Sequence, residues 1–166
     1  MRNPFQVLVA AALLAALPSA APAQSQTARS FDPVTFFTGR TTGEGRLKKL
    51  FSSAQATHVS GRGRIEGGVL VLDQNVTIAG EKPRDRQWRL RAVSPGHWAG
   101  SLSDARGPVN ASAAGAVLTI AYTSNEGMGI VQSVTLAADG RSARNLMKVR
   151  KLGMTVATLD ETITRD

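Results

Sequence analysis

The chain of 166 residues contains no cysteine. That absence removes disulfides and thiol chemistry together, and it excludes the lipid-anchored form of bacterial export, which needs a cysteine behind the leader. Histidine is almost missing as well, with His58 and His97 the whole supply. A serine nucleophile of the triad kind needs a histidine base and an orienting carboxylate, and no G-x-S-x-G surrounds any serine. His97 and Asp104 fall on opposite faces of a straight strand, a poor basis for a metal pair. Asp160 and Glu161 are adjacent on a strand, so they face opposite ways and do not form an acid/base pair. No catalytic residue and no metal ligand is assigned. Five Phe, two Trp and one Tyr, three of the Phe near the start, are too few for the stacking platform of an RNA-reading sheet, so nucleic acid is not an expected partner.

Long amphipathic helices are absent beyond the first residues, which excludes the parallel doubly wound class with its crossover helices. The glycine-rich stretches Gly39 to Gly45 and Gly61 to Gly63 are not G-x-G-x-x-G and carry no phosphate-loop lysine. No cofactor is expected from them.

What is present begins with Arg2, the apolar run Val7 to Leu17, Pro18 and the triplet Ala21-Pro22-Ala23. An apolar segment too short to span a bilayer, ending in A-x-A, reads as a secretory signal peptide over residues 1–23, cleaved after Ala23. The expected location is periplasmic or secreted. Residues 24–30 read as a flexible lead-in, and 31–166 as one domain with one core.

In Phe31-Asp32-Pro33-Val34-Thr35-Phe36-Phe37 an N-cap aspartate precedes a proline at the first helical position, which predicts one short helical turn whose phenylalanines plug an end of the core. From Gly39 onward the apolar period is two, in short segments separated by Gly, Pro, Asn and Asp. In Gln87 to Ala92, Trp88, Leu90 and Ala92 share one face. Val59 to Ile65 alternates likewise and turns at Gly67-Gly68 into Val69 to Leu72. Ser94-Pro95-Gly96 turns the Trp88 strand into Trp98 to Asp104, so both tryptophans face inward and His97 faces solvent. With Thr41 to Phe51, Gly107 to Ser112, Val117 to Thr123, Ile130 to Leu136, Ala143 to Arg150 and Thr155 to Ile163, the pattern predicts an all-β, small antiparallel up-and-down barrel of about 8–10 strands. Closure removes the edges of such a meander, and Gly61, Gly63 and Gly100 are read as bends in its strands.

The formal charge is +8, a balance that favours anionic partners. Arg62, Arg64, Arg86, Arg89, Arg91, Lys148 and Arg150 alternate with apolar positions and are expected to make an arginine-rich outer face over an apolar interior. For an exported chain the anionic partner would be a membrane surface.

The segments RQWRL (Arg86 to Leu90), HWAGSLSDARG (His97 to Gly107) and NLMKVRKLGMTVATLDETI (Asn145 to Ile163), behind TTGEGRLKKLF (Thr41 to Phe51), resemble in order and spacing an uncharacterised bacterial domain-of-unknown-function family of lipocalin-like barrels. The resemblance runs from about Phe31 to Thr164. Its motif positions correspond to Gly43, Gly45, Trp88, Gly100, Asp104, Gly107, Asn145, Lys151 and Gly153. The family often has acidic and aromatic residues in the strand before the closing element, where this chain has Gln132 and Ser133. The resemblance implies a calycin-type barrel with an internal cavity and, by association with neighbouring genes, a link to fatty-acid modification.

The expected function is binding of a small apolar or lipid-like ligand, with Trp88, Leu90, Trp98, Leu118, Ile120, Tyr122 and Met147 as cavity residues. A lipid-modifying enzyme using Tyr122 or Asp104 as acid or base is one alternative. A structural barrel that binds a protein partner through its basic face is another.

Overall fold

The computed structural model describes residues 30–166; the signal peptide and nearly all of the lead-in expected from the sequence lie outside them. Helix α1 (Pro33–Phe37) is followed by ten strands: β1 (Gly39–Lys49), β2 (Ala54–Glu66), β3 (Val69–Ile78), β4 (Arg84–Ser94), β5 (His97–Leu102), β6 (Ala105–Ala114), β7 (Val117–Ser124), β8 (Gly129–Leu136), β9 (Ser142–Lys151) and β10 (Met154–Arg165). Each strand pairs antiparallel with its neighbours in sequence, and β1 pairs with β10 to close the barrel. The expected up-and-down barrel with one short helix is the observed fold.

Helix α1 starts where the sequence places it. Asp32 accepts from the backbone N–H of Val34 (3.0 Å) and of Thr35 (3.3 Å), and Pro33, at the start of the helix, has no N–H to lose there. Gly39, at φ 98°, turns the chain out of the helix into β1, a conformation that side-chain-bearing residues resist. Phe31, Phe36 and Phe37 pack on one another with centroids 5.0 to 6.3 Å apart. The Phe31 N–H donates to the Gly115 carbonyl at 2.8 Å. The helix thereby seals the end of the barrel that carries the β2–β3, β4–β5, β6–β7 and β8–β9 turns.

Gly63 shows why glycine stands in β2. A Cβ there would run into the Phe37 main chain, with the carbonyl carbon at 2.8 Å. Gly61 and Gly100 are likewise sites where another strand's backbone or side chain comes close. These glycines are thus required by close approach, beyond the bends expected for them.

The core fills the sealed half of the barrel. Leu70, Leu72, Trp88, Leu90, Trp98 and Leu118 are buried there with the three phenylalanines. Leu47, Val59, Val76 and Ile78 form a smaller cluster toward the other end. Outside, Val71 is fully buried between its cross-strand partners Arg64 and Arg89, whose heads pair with Asp73 and Glu66. Arg144 pairs with Asp160 at 2.7 Å. The outer arginine face is therefore partly neutralised. One member of the expected set is not on it: Arg86 has the same parity as Trp88 and Leu90, and it turns inward.

Candidate functional site

At the end opposite α1 the barrel opens into a cavity of about 520 Å³. A shallower depression of about 710 Å³ lies more openly over β2 to β4, among exposed polar residues such as Arg62 and Asn75. The cavity at the barrel end is the more enclosed of the two, and it falls within the size range of small-molecule sites.

Its walls and floor differ. Leu47, Val59, Val76, Ile78, Met147 and Leu159 make an apolar wall on β1, β2, β3, β9 and β10. Arg86, Asp104, Tyr122, Gln132 and Glu161 bring polar groups to the same space from β4, the β5–β6 turn, β7, β8 and β10. Each strand residue among them shares its strand's inward face with apolar neighbours: Glu161 with Leu159 and Ile163, Gln132 with Ile130 and Val134, Tyr122 with Ile120.

A buried polar ladder crosses four strands. The Asn145 side-chain N–H donates to Glu161 Oε2 and to Gln132 Oε1, each at 3.0 Å. Gln132 Nε2 approaches the Tyr122 hydroxyl at 3.5 Å, a weak contact. On the facing wall Gln74 Oε1 accepts from both Trp88 Nε1 and Arg86 Nε at 2.8 Å, and the Arg86 guanidinium lies 5.4 Å from the centre of the Trp88 ring. The Trp88 and Tyr122 rings meet edge to face at 5.5 Å, which joins the two walls.

Burial pushes the Glu161 carboxyl above its ordinary value; the hydrogen bond from Asn145 and the positive charge of Arg86 oppose that push. Burial likewise raises Tyr122, so it is held as a phenol. Among the described residues three buried side-chain oxygens, Thr57 Oγ1, Asp104 Oδ1 and Asn145 Oδ1, have no hydrogen-bond partner. Thr57 and Asp104 line the cavity. A buried polar oxygen without a partner is costly, so Thr57 Oγ1 and Asp104 Oδ1 are left to meet a ligand's polar groups.

Of the residues expected at a cavity, Tyr122 and Met147 line it, whereas Trp88, Leu90, Trp98, Leu118 and Ile120 belong to or pack in the filled half below. The expectation of a wholly apolar interior gives way to a polar floor between two apolar zones. Among the motif positions, Asp104 and Asn145 reach this region, and Gly43 and Gly45 lie beneath Glu161 on β1. Gly107 takes φ 81° at the irregularity in β6, Gly100 sits against the Arg89 backbone, and Lys151 and Gly153 shape the β9–β10 turn. His58 is exposed beside Glu44, and His97 is exposed with Nδ1 3.0 Å from the Pro95 carbonyl oxygen. Sequence reasoning missed Glu161, Arg86, Gln132 and Gln74. The signal was their parity: each is a polar residue in register with apolar ones.

A family model described as "Protein of unknown function (DUF3833)" matches residues 11–165. No curated protein matches the chain. Among solved structures, an S-type phycobiliprotein lyase from Guillardia theta superposes with a TM-score of 0.62 at 5% identity, covering 80% of this chain and 90% of the lyase. A second structure, EF1p2_mFAP2b bound to DFHBI, reaches a TM-score of 0.42 at 10% identity, covering 85% of this chain and all of that one.

Proposed function

Because the chain belongs to the DUF3833 family, whose description leaves function open, we propose its role from the cavity: it binds one small amphipathic, lipid-like molecule, polar end at the floor and apolar body along the wall. The observation that carries this reading is the division of the cavity itself, an apolar wall of Leu47, Val59, Val76, Ile78, Met147 and Leu159 above a floor holding Arg86, Tyr122 and Glu161. A plain core would have been filled by side chains; a site for a wholly apolar ligand would not gather ionisable groups at its base. Arg86 and the Tyr122 phenol donate hydrogen bonds, and burial works against negative charge on Glu161, so the floor suits an acceptor such as a carboxylate head. The lyase contributes the architecture only, at 5% identity.

The leader read in residues 1–23 supports a periplasmic or secreted setting, and a lipid-like ligand fits the link to fatty-acid modification that the family resemblance suggests. A long-chain fatty acid titrated into the protein should quench or shift tryptophan fluorescence saturably at one molecule per chain, through Arg86 stacked on Trp88. Denaturing extraction followed by mass spectrometry should release an amphipathic molecule in stoichiometric amount. If fatty acids leave the fluorescence unchanged and nothing is extracted, the binding reading fails.

A second reading, chemistry on the bound molecule, has one observation in its favour: Asp104 Oδ1 is buried beside the cavity with no partner among the described residues. Comparing lipid profiles of strains carrying Asp104→Asn or a deletion tests it. An intact profile in the point variant alone removes Asp104 from the chemistry. Tyr122 suits an acid or a donor better than a base, since burial keeps its proton on.

A further inference from the structure

Eight large apolar side chains are exposed among the described residues, and four of them stand together at the open end: Leu50, Phe51, Leu152 and Met154. Phe51 is 98% exposed and Leu152 91%. They occupy the tips of the β1–β2 and β9–β10 turns. Strands β1 and β10 are paired, and the Leu50 N–H donates to the Val156 carbonyl at 2.8 Å, so the two tips are neighbours.

Both tips are also costly to build. Phe51 has φ 62° and Leu152 φ 50°, and among the described residues these are the only non-glycine residues in left-handed backbone. A two-residue turn of this shape favours Asn or Asp before glycine, whereas here Leu152 precedes Gly153. A branched or aromatic side chain in that conformation is disfavoured by about 1–2 kcal/mol, and in water its exposed apolar surface returns nothing.

The flanks of these tips are cationic. Lys48 and Lys49 precede the first, and Arg150 and Lys151 precede the second. Lys49 is tied to Glu81, while Lys48, Arg150 and Lys151 have no carboxylate partner among the described residues. The remaining turns at the mouth carry Glu81, Lys82, Asp104 and Glu126, so the cationic flank belongs to these two tips rather than to the whole rim. Exposed apolar residues also flank the sealed-end turns, at Ile65 and Val93, but neither of them stands in left-handed backbone.

We propose that the mouth of the barrel docks on an anionic phospholipid surface, inserting Phe51 and Leu152 while Lys48, Arg150 and Lys151 meet the headgroups. Apolar insertion and electrostatic attraction are each marginal alone and sufficient together. Docking would set the open cavity against the bilayer. The inference stands on the rim rather than on the cavity, so it can fail while ligand binding in vesicle-free solution holds, and the reverse.

The test uses the full chain, whose lack of cysteine makes one introduced thiol a unique attachment point. An environment-sensitive dye is placed at Leu152→Cys or, at the sealed end, at Ala138→Cys. With vesicles of equal parts phosphatidylglycerol and phosphatidylcholine, the dye at 152 should shift to the blue and be quenched by a lipid-phase quencher, and the dye at 138 should not. Vesicles of phosphatidylcholine alone, or salt raised to about 0.5 M, should abolish most of the shift. Phe51→Ser should weaken vesicle binding about tenfold, with circular dichroism unchanged. The apolar run at residues 7–17 is present in every variant, so differences between variants report the rim. An unshifted dye at 152, equal shifts at both positions, equal binding to neutral vesicles, or unaltered binding by Phe51→Ser would overturn the proposal. So would a concentration-dependent dimer that buries the 152 dye without lipid.

Discussion

The Glu161 carboxyl group fills the space that a side chain on Gly43 would need: a Cβ built on Gly43 meets Glu161 Oε1 and stands 2.9 Å from its carboxyl carbon. The glycine of β1 and the acid of β10 are one arrangement. The backbone of β1 is stripped bare so that a long polar side chain can lie across it at the cavity floor.

Gly43→Ala should therefore lower stability by about 1–3 kcal/mol, the range for overpacking a filled site. The three nearest atoms to the added methyl all belong to Glu161, so most of the loss should vanish when Glu161→Ala is combined with it. Chemical denaturation of the four proteins in that cycle measures the coupling; additive effects would show that the clash lies elsewhere.

Glu161→Gln should change stability in a pH-dependent way. Burial raises the carboxyl above its ordinary value, so the folded protein holds the proton more tightly than the unfolded chain. The native state is favoured by this group below the ordinary glutamate range and loses that contribution as pH rises through the raised value. Glutamine keeps an acceptor for Asn145 and carries no charge. Its melting temperature should match the parent at the acid end of a scan and exceed it progressively toward neutral pH.

Ala157→Phe should block the cavity from its wall. Ala157 lines the space on β10 and is only partly buried, so a ring can enter the void with little strain on the core. Fatty-acid binding by tryptophan fluorescence should weaken by an order of magnitude or more, with the melting temperature unchanged or raised.

Arg86→Met keeps an apolar stem beside Trp88 and removes the charge. A carboxylate-headed amphiphile should lose about 1.5–3 kcal/mol of affinity, the range for hydrogen bonds to charged groups, while its alcohol-headed counterpart should bind nearly as before. Isothermal titration of the pair separates the two; equal losses would mean that Arg86 only shapes the floor.

Most of the fold could be read from the chain itself. Period-two patterning and turn residues locate the strands, although Arg84 and Asp85, which directly follow the turn-like Gly80 to Pro83, belong to β4, because they pair with Val76 and Asn75 across the β3–β4 ladder. The N-cap at Asp32 and the phenylalanines around it located the plug. The site was harder to see. Arg86 shares the inward parity of Trp88 and Leu90, but arginine is so commonly a surface residue that its type points outward while its register points in. For Glu161 the informative fact is its own inward parity with Leu159 and Ile163, which the outward-facing Asp160 beside it obscures. Which end of the barrel is filled depends on tertiary packing of α1 against β2, and no local pattern encodes it.

The β1–β10 pairing has a kinetic side. Every other pairing in the barrel joins sequence neighbours, while this one brings Thr41 opposite Arg165. Loop closure over that span should make it the late zipping event in assembly. Leu47 and Gly43 stand on one side of this seam, Leu159 and Glu161 on the other, so the binding site comes into existence only when the seam shuts. A captive molecule, held by both banks, would act as a clasp that slows the reopening of the barrel.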